Sequence, residues 1–256
     1  MKGMLSERLE NLLGAVIERY VASAEPVSSK LLEKRGWFGL KSASIRNALG
    51  ELEEGGYLTH PYTSGGRVPT DLGYRYYVDN LLDINRQAPV TPRKLKIQQV
   101  IRQSGNDPWL LNHNVAQLLS TLTGNLVITA INEEDDFFKV GLSSLFEQLE
   151  FRNRQLAVNR MFRLTSFFDE FNQMFGQLEQ AFFGGGVDQA EIQIAIGEEN
   201  PVKDIKEETV MFAKYDLPDG YTGSLTLVGP TRMNYAENIG LIRYTADELN
   251  KTAKRI

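Results

Sequence analysis

Leu5, Leu9, Leu12, Leu13, Val16, Ile17, Tyr20 and Val21 recur at spacings of three and four, which predicts a helix with one apolar stripe turned to a core. Pro26 breaks it. Ser28 is placed to cap a short second helix through Leu31 and Leu32, and Gly36 and Gly39 supply the turn that follows. Ser42 then reads as the N-cap of a third helix with Ile45, Ala48, Leu49 and Leu52 inward, ended by Gly55 and Gly56. Residues 57–60 and 67–69 read as two strands joined by a flexible tip, Thr63-Ser64-Gly65-Gly66. Thr70 caps a further helix whose packing stripe is Tyr74, Tyr77, Val78 and Leu81. Three short helices followed by a hairpin predict a winged helix-turn-helix.

Beyond residue 88 the pattern changes. Pro89 to Pro92 reads as a linker, followed by a basic helix over 93–102 and an amphipathic one over 108–123. Four short β-patterned runs, 126–131, 192–196, 210–213 and 224–228, are interleaved with helical periodicity over 155–183 and 234–251. The expected fold class is therefore α+β, divided into a winged helix-turn-helix over 1–88, linker and connecting helices over 89–124, and a small sheet domain over 125–256. Phe162, Phe167, Phe168, Phe171, Phe175, Phe182 and Phe183 crowd the long helix, as core or in part as an interface between copies.

Composition narrows the function more than the fold. No apolar run approaches the ~20 residues that span a bilayer, and the N-terminus lacks the pattern of a secretion signal, so a cytoplasmic protein with no membrane partner is expected. With no Cys and two His, thiol chemistry and His/Cys zinc sites are excluded, and neither a cofactor nor a metal is expected. The net charge of −5 is uneven: residues 1–103 carry 15 Lys and Arg against 11 Asp and Glu, a mildly basic front on an acidic remainder.

That front carries the candidate chemistry. With Ile45 and Leu49 inward, Ala43, Ser44, Arg46, Asn47, Gly50 and Glu51 face outward; small residues permit close approach to DNA, and Arg46 and Asn47 offer forked contacts to guanine and adenine edges. Lys41, Ser42 and Ser44 at the start of this helix, and Thr63, Ser64, Gly66 and Arg67 in the hairpin, complete the expected DNA-binding set, with Arg67 as the phosphate or minor-groove contact. No catalytic residue is expected. Glu198, Glu199 and Asn200 and the loop 229–232 come with no nucleophile–base order, phosphate-cradling loop or ligand cluster; Gly229-Pro230 reads as a strand end and Arg232 as the partner of an acidic neighbour. His60 and His113 read as bystanders, and the glycines at 184–186 as a linker.

The segments EPVSSKLLEKRG (25–36), SIRNALGELEEGGYL (44–58) and TSGGRVPTDLGYRYYVDNLL (63–82) closely resemble the HrcA family of heat-inducible transcription repressors. GLSSLFEQLEF (141–151), IGEENP (196–201) and GPTRMNY (229–235) resemble later blocks of that family in the same order. The resemblance implies a homodimer that binds an inverted-repeat operator in double-stranded DNA upstream of chaperone genes, with a chaperonin as modulating partner and a GAF-like regulatory domain after the winged helix. It also implies a dimerising domain inserted in the GAF-like part. Only Asn132-Glu133-Glu134-Asp135-Asp136 stands between the run 125–131 and Phe137, so nearly all of that insertion is expected to be missing. Gly65 stands where the family usually has Ala, loosening the hairpin tip. Two other readings remain: a regulator whose GAF-like part binds a small molecule, and a module whose winged helix binds protein.

Overall fold

A computed structural model describes residues 5–34, 36, 39, 41–61, 66–83, 87–152, 154–184 and 192–254. The chain divides into two compact units, 1–83 and 84–256.

The first unit opens with α1 (Glu7–Ser23), whose buried face is Leu12, Leu13, Ala15, Val16 and Ile17. Helix α2 (Ser29–Lys34) is capped as expected, the Leu31 amide donating to Ser28 Oγ at 3.3 Å, and Gly36 and Gly39 adopt positive φ. Helix α3 (Ser42–Glu54) buries Ile45, Ala48, Leu49 and Leu52, and Gly56 (φ 81°) turns the chain out of it. Strands β1 (Leu58–Thr59) and β2 (Val68–Pro69) pair antiparallel. Thr70 Oγ1 accepts from the Gly73 amide and donates to the Gly56 carbonyl, so one hydroxyl caps α4 (Asp71–Tyr76) and ties it to the end of α3. The last turn, Tyr77–Leu81, widens to π-helical pairing, with the Leu82 amide donating to the Tyr77 carbonyl.

The second unit contains the segment expected to be connecting helices. Helices α5 (Thr91–Ser104) and α6 (Pro108–Thr123) pack on each other, and α6 packs on the sheet. Asp107 caps α6, its Oδ1 accepting from the amides of Trp109 and Leu110. The strands are β3 (Leu126–Ile131), β4 (Asp136–Val140), β5 (Gln193–Ile196), β6 (Glu208–Asp216) and β7 (Thr222–Pro230), in the order β4-β3-β7-β6-β5 with every neighbouring pair antiparallel. Helices α7 (Leu142–Phe146), α8 (Arg154–Phe183) and α9 (Tyr235–Ala253) complete the unit.

Side-chain alternation sorts the sheet into two covered faces. Leu126, Ile128, Ala130, Val210, Phe212 and Val228 meet Leu164, Phe167, Phe171, Phe175 and Phe182 of α8 in one apolar cluster. On the other face Tyr215 Oη donates to Asn112 Oδ1 of α6 at 2.6 Å, and Thr209 pairs with Tyr235 of α9 at 2.9 Å. Because both faces are covered, β3 is buried at all six positions and reads in sequence as an apolar run broken only by Thr129, whose hydroxyl donates to the Asn112 carbonyl.

Most phenylalanines of α8 are thus core. Phe162 (72% exposed) is the exception, and with Val158 (57%) one turn away it stands in solvent as a large apolar group among the described residues of the helix. Strand β4 was not expected. It is an edge strand with no fully buried position, and the residues 132–136, read as the scar of a lost insertion, form a tight hairpin turn into it, with Asp135 in the left-handed region (φ 49°). Among the described residues no helix is long and apolar enough to cross a membrane.

Candidate nucleic-acid interface

Helix α3 is held from three sides. Ser42 Oγ donates to Ser29 Oγ of α2 at 3.0 Å, and Arg8 of α1 donates to the Ser44 carbonyl at 3.1 Å. At its far end Glu53 meets the hairpin. Ser42 is therefore not the cap: its hydroxyl is taken by α2, and Lys41, with extended backbone and no side-chain cap, stands in that position. The first turn keeps its leading amides free of a side-chain acceptor, the arrangement that attracts anions to a helix N-terminus.

The outward face is as the wheel predicted. Lys41, Ala43, Arg46, Asn47 and Glu51 are exposed, Ser44 and Gly50 half-buried, and a Cβ at Gly50 would meet nothing within 4 Å. Arg46 and Asn47 stand side by side, and neither has a hydrogen bond or ion pair to another described residue. A guanidinium and a carboxamide left without internal partners on a fixed helix are free to donate to an external acceptor.

The hairpin differs from its expected picture. Thr63 and Ser64 lie outside the described residues. Gly66 sits at the hairpin's root against Pro26 and Val27, where a Cβ would approach the Val27 carbonyl carbon to 2.5 Å, so its bareness serves close backbone packing. Arg67 exchanges two backbone hydrogen bonds with Val27, both 2.8 Å, and its guanidinium lies 2.9 Å from Glu53 with the side chain only 16% exposed. His60 reaches the same carboxylate at 3.6 Å. The hairpin's cation is thus already engaged by α3, a residue that the expected set did not include; Glu53 is fourteen positions upstream of Arg67, and no local spacing joins them.

A Gly66→Ala variant should lose about 1–3 kcal/mol, the usual cost of forcing a methyl into a packed site. Thermal unfolding reads this directly, and an unchanged midpoint would mean the root has room that the backbone contact denies.

The charge is also distributed differently from what was expected. The first unit by itself carries ten Lys and Arg against eleven Asp and Glu; the surplus of cations counted to residue 103 comes from Arg86, Arg93, Lys94, Lys96 and Arg102, all in the second unit. Any polyanion contact by α3 rests on local placement rather than on a basic unit.

Elsewhere the polar groups that tempted a catalytic reading are structural. Asn200 Nδ2 donates to the carbonyls of Gly197, Ile205 and Glu208; Glu199 accepts from the Ile196 amide; Glu198 pairs with Lys206. Arg232 pairs with Glu150 at 2.5 Å, and Pro230 ends β7, both as expected. His113 stacks on Phe138. No group of three or more His, Cys, Asp or Glu among the described residues is arranged to hold a metal. A groove of about 370 Å³ beside α5 and α6, lined by Val100, Gln103, Asn114, Gln117, Leu118 and Thr121, has no charged group to orient a ligand.

Comparison with known proteins places this arrangement. A crystal structure described as that of a hypothetical protein at 2.2 Å resolution superposes with a TM-score of 0.78, covering 98% of this chain and 99% of that one at 18% identity, and so shares its fold. A heat-inducible transcription repressor HrcA from Geobacter sulfurreducens is 26% identical over 340 residues, covering 94% of this chain and 96% of its own. The protein of the same name from Halalkalibacterium halodurans is 26% identical over 334 residues, covering 97% of each. An alignment of 340 positions laid on a chain of 256 leaves at least 84 at which the Geobacter relative has residues and this chain none. The model of the HrcA protein C-terminal domain matches residues 89–239, well over half the chain, and the chain accordingly belongs to the HrcA family, whose named members above are transcription repressors rather than enzymes.

Proposed function

We propose that this chain is a cytoplasmic, heat-inducible transcription repressor that binds an inverted-repeat operator as a homodimer and controls chaperone genes, with a chaperonin modulating its activity. The first unit acts as a winged helix-turn-helix: α3 enters the major groove, Arg46 and Asn47 read base edges, Lys41, Ser42, Ser44, Thr63 and Ser64 set its position on the DNA backbone, and Gly66 and Arg67 fix the root of the hairpin. The second unit serves as the GAF-like regulatory and dimerising part. The observation that carries this reading is the unengaged pair Arg46 and Asn47 on the exposed face of a helix clamped by its neighbours. Names of nearly full-length relatives point the same way.

A palindromic site read by one helix per subunit requires a two-fold protein. With most phenylalanines of α8 spent on the core, the exposed apolar pair Val158 and Phe162 is the candidate among the described residues of that helix for contact between copies. Footprinting on the organism's own DNA should give two protected half-sites, and chaperonin should raise occupancy. Light scattering at micromolar concentration should give the dimer mass, with two chains per two-half-site duplex. One chain per duplex at saturation would remove the dimeric operator model, and no protected site at all would remove the repressor.

A further inference from the structure

Two described strands of the hairpin root converge on one carboxylate. From the β1 side His60 Nε2 lies 3.6 Å from Glu53 Oε2; from the β2 side Arg67 Nη2 lies 2.9 Å from the same oxygen. Among the described residues His60 Nδ1 and Arg67 Nε are buried without a hydrogen-bond partner, and Glu53 is the polar group that both side chains meet. Arg67 is also fixed through its backbone to Val27, and Gly66 is pressed on the same segment. Glu53 lies in the last turn of α3, the helix that presents Arg46 and Asn47. Both sides of the hairpin root are therefore fastened to the last turn of α3 itself.

We infer that Glu53 is a positioning residue for DNA binding, holding the hairpin in register with the recognition helix, and that Arg67 acts through Glu53 rather than as a free phosphate-binding cation. This rests on the DNA-binding reading above. The physical ground is that an Arg with one face on a carboxylate and a side chain five-sixths covered has already exchanged its counterion for an internal one, so little is released when a phosphate arrives. A carboxylate left bare on the recognition helix beside the hairpin root would repel a nearby phosphate; paired, it does not.

The test is a double-mutant cycle on the full chain with Glu53→Ala, Arg67→Ala and both, together with Glu53→Gln. Each single alanine should weaken binding to the operator duplex roughly tenfold, the order expected for a hydrogen bond to a charged group. The double variant should be no weaker than the worse single, Glu53→Gln should recover part of the loss because its amide oxygen still accepts, and the slope of log affinity against log salt should stay that of the parent. A slope flattened by ~0.9 in Arg67→Ala, tighter binding by Glu53→Ala, or additive losses would each overturn the inference, since each marks a cation that meets phosphate directly. Amide hydrogen exchange at Val27 and Arg67 without DNA is the independent readout: both singles should speed it at an unchanged melting midpoint of the second unit. Unchanged exchange overturns the inference even if DNA binding behaves as expected; if the parent binds no DNA, the repressor reading fails while exchange still decides the role of Glu53.

Discussion

Replacing Arg160 with methionine should destabilise the second unit by about 3–5 kcal/mol at neutral pH, the cost of stranding a buried charge. Arg160 of α8 grips Glu208 at the start of β6 with both ends of its fork, Nε to Oε1 at 2.6 Å and Nη2 to Oε2 at 2.8 Å, while donating to the Glu207 carbonyl at 3.0 Å. Glu208 is 1% exposed. Methionine keeps an unbranched stem of similar length and removes the guanidinium, with its charge, its donors and its place over the Phe151 ring, where Cζ lies 4.9 Å from the ring centroid. Burial pushes the Glu208 carboxyl above the usual carboxylate range, with the Arg160 hydrogen bonds opposing that push. A carboxyl raised in the folded state contributes stability below its unfolded pKa and loses it as pH rises through the folded value. Removing Arg160 raises the folded value further, so the deficit of the variant should be largest at neutral pH and shrink as acid protonates Glu208. Denaturant unfolding at several pH values measures this. Exchanging Glu208 for methionine as well should restore most of the loss, because an apolar pair of like volume replaces an ion pair at little net cost. A deficit independent of pH would show that the guanidinium is not what compensates Glu208.

The second large effect is on recognition. Arg46→Ala and Asn47→Ala should each remove about 1–3 kcal/mol of discrimination between the operator and unrelated duplex, roughly tenfold to 150-fold in the ratio of affinities. Both side chains are exposed and carry no internal bond among the described residues, so truncation leaves the fold undisturbed and the circular dichroism spectrum unchanged. Neither variant should alter the core contacts of Ile45 or Leu49, which lie on the opposite face of α3. Competition binding with a scrambled duplex separates lost preference from lost affinity. If both variants kept the parent's preference, α3 would not be the reading helix.

What the sequence made legible follows physical locality. The stripes of α1, α3 and α8 recur every three or four residues, and Ser28 and Thr70 each accept from the amide three residues on, so each was readable from a short window. The exposed face of α3 followed from its buried one. Interactions between distant segments were not readable. Ser42 has the chemistry of a cap, and only its proximity to Ser29 across the α2–α3 turn diverts the hydroxyl. Arg67 has the chemistry of a phosphate contact, and only the hairpin's fold returns it to Glu53. Strand β4 escaped because an edge strand with one charged end and half-covered side chains has neither alternation nor a continuous apolar run.

The turn from Asn132 to Asp135 links β3 to the outermost strand, on the side of β3 away from β7, and the sheet order beyond it is independent of that link. Glu133 fastens the turn from outside the core, accepting the Thr222 amide at 3.0 Å. Chain leaves and re-enters the sheet here within one tight bend at the rim, so the bend is a socket: the spacing of its two ends is fixed by β-pairing and not by what lies between them. An accessory domain could be plugged in or unplugged at such a socket without re-registering a strand or opening the apolar cluster. Length added or removed at this rim leaves the pairing of the remaining strands and the apolar cluster as they are.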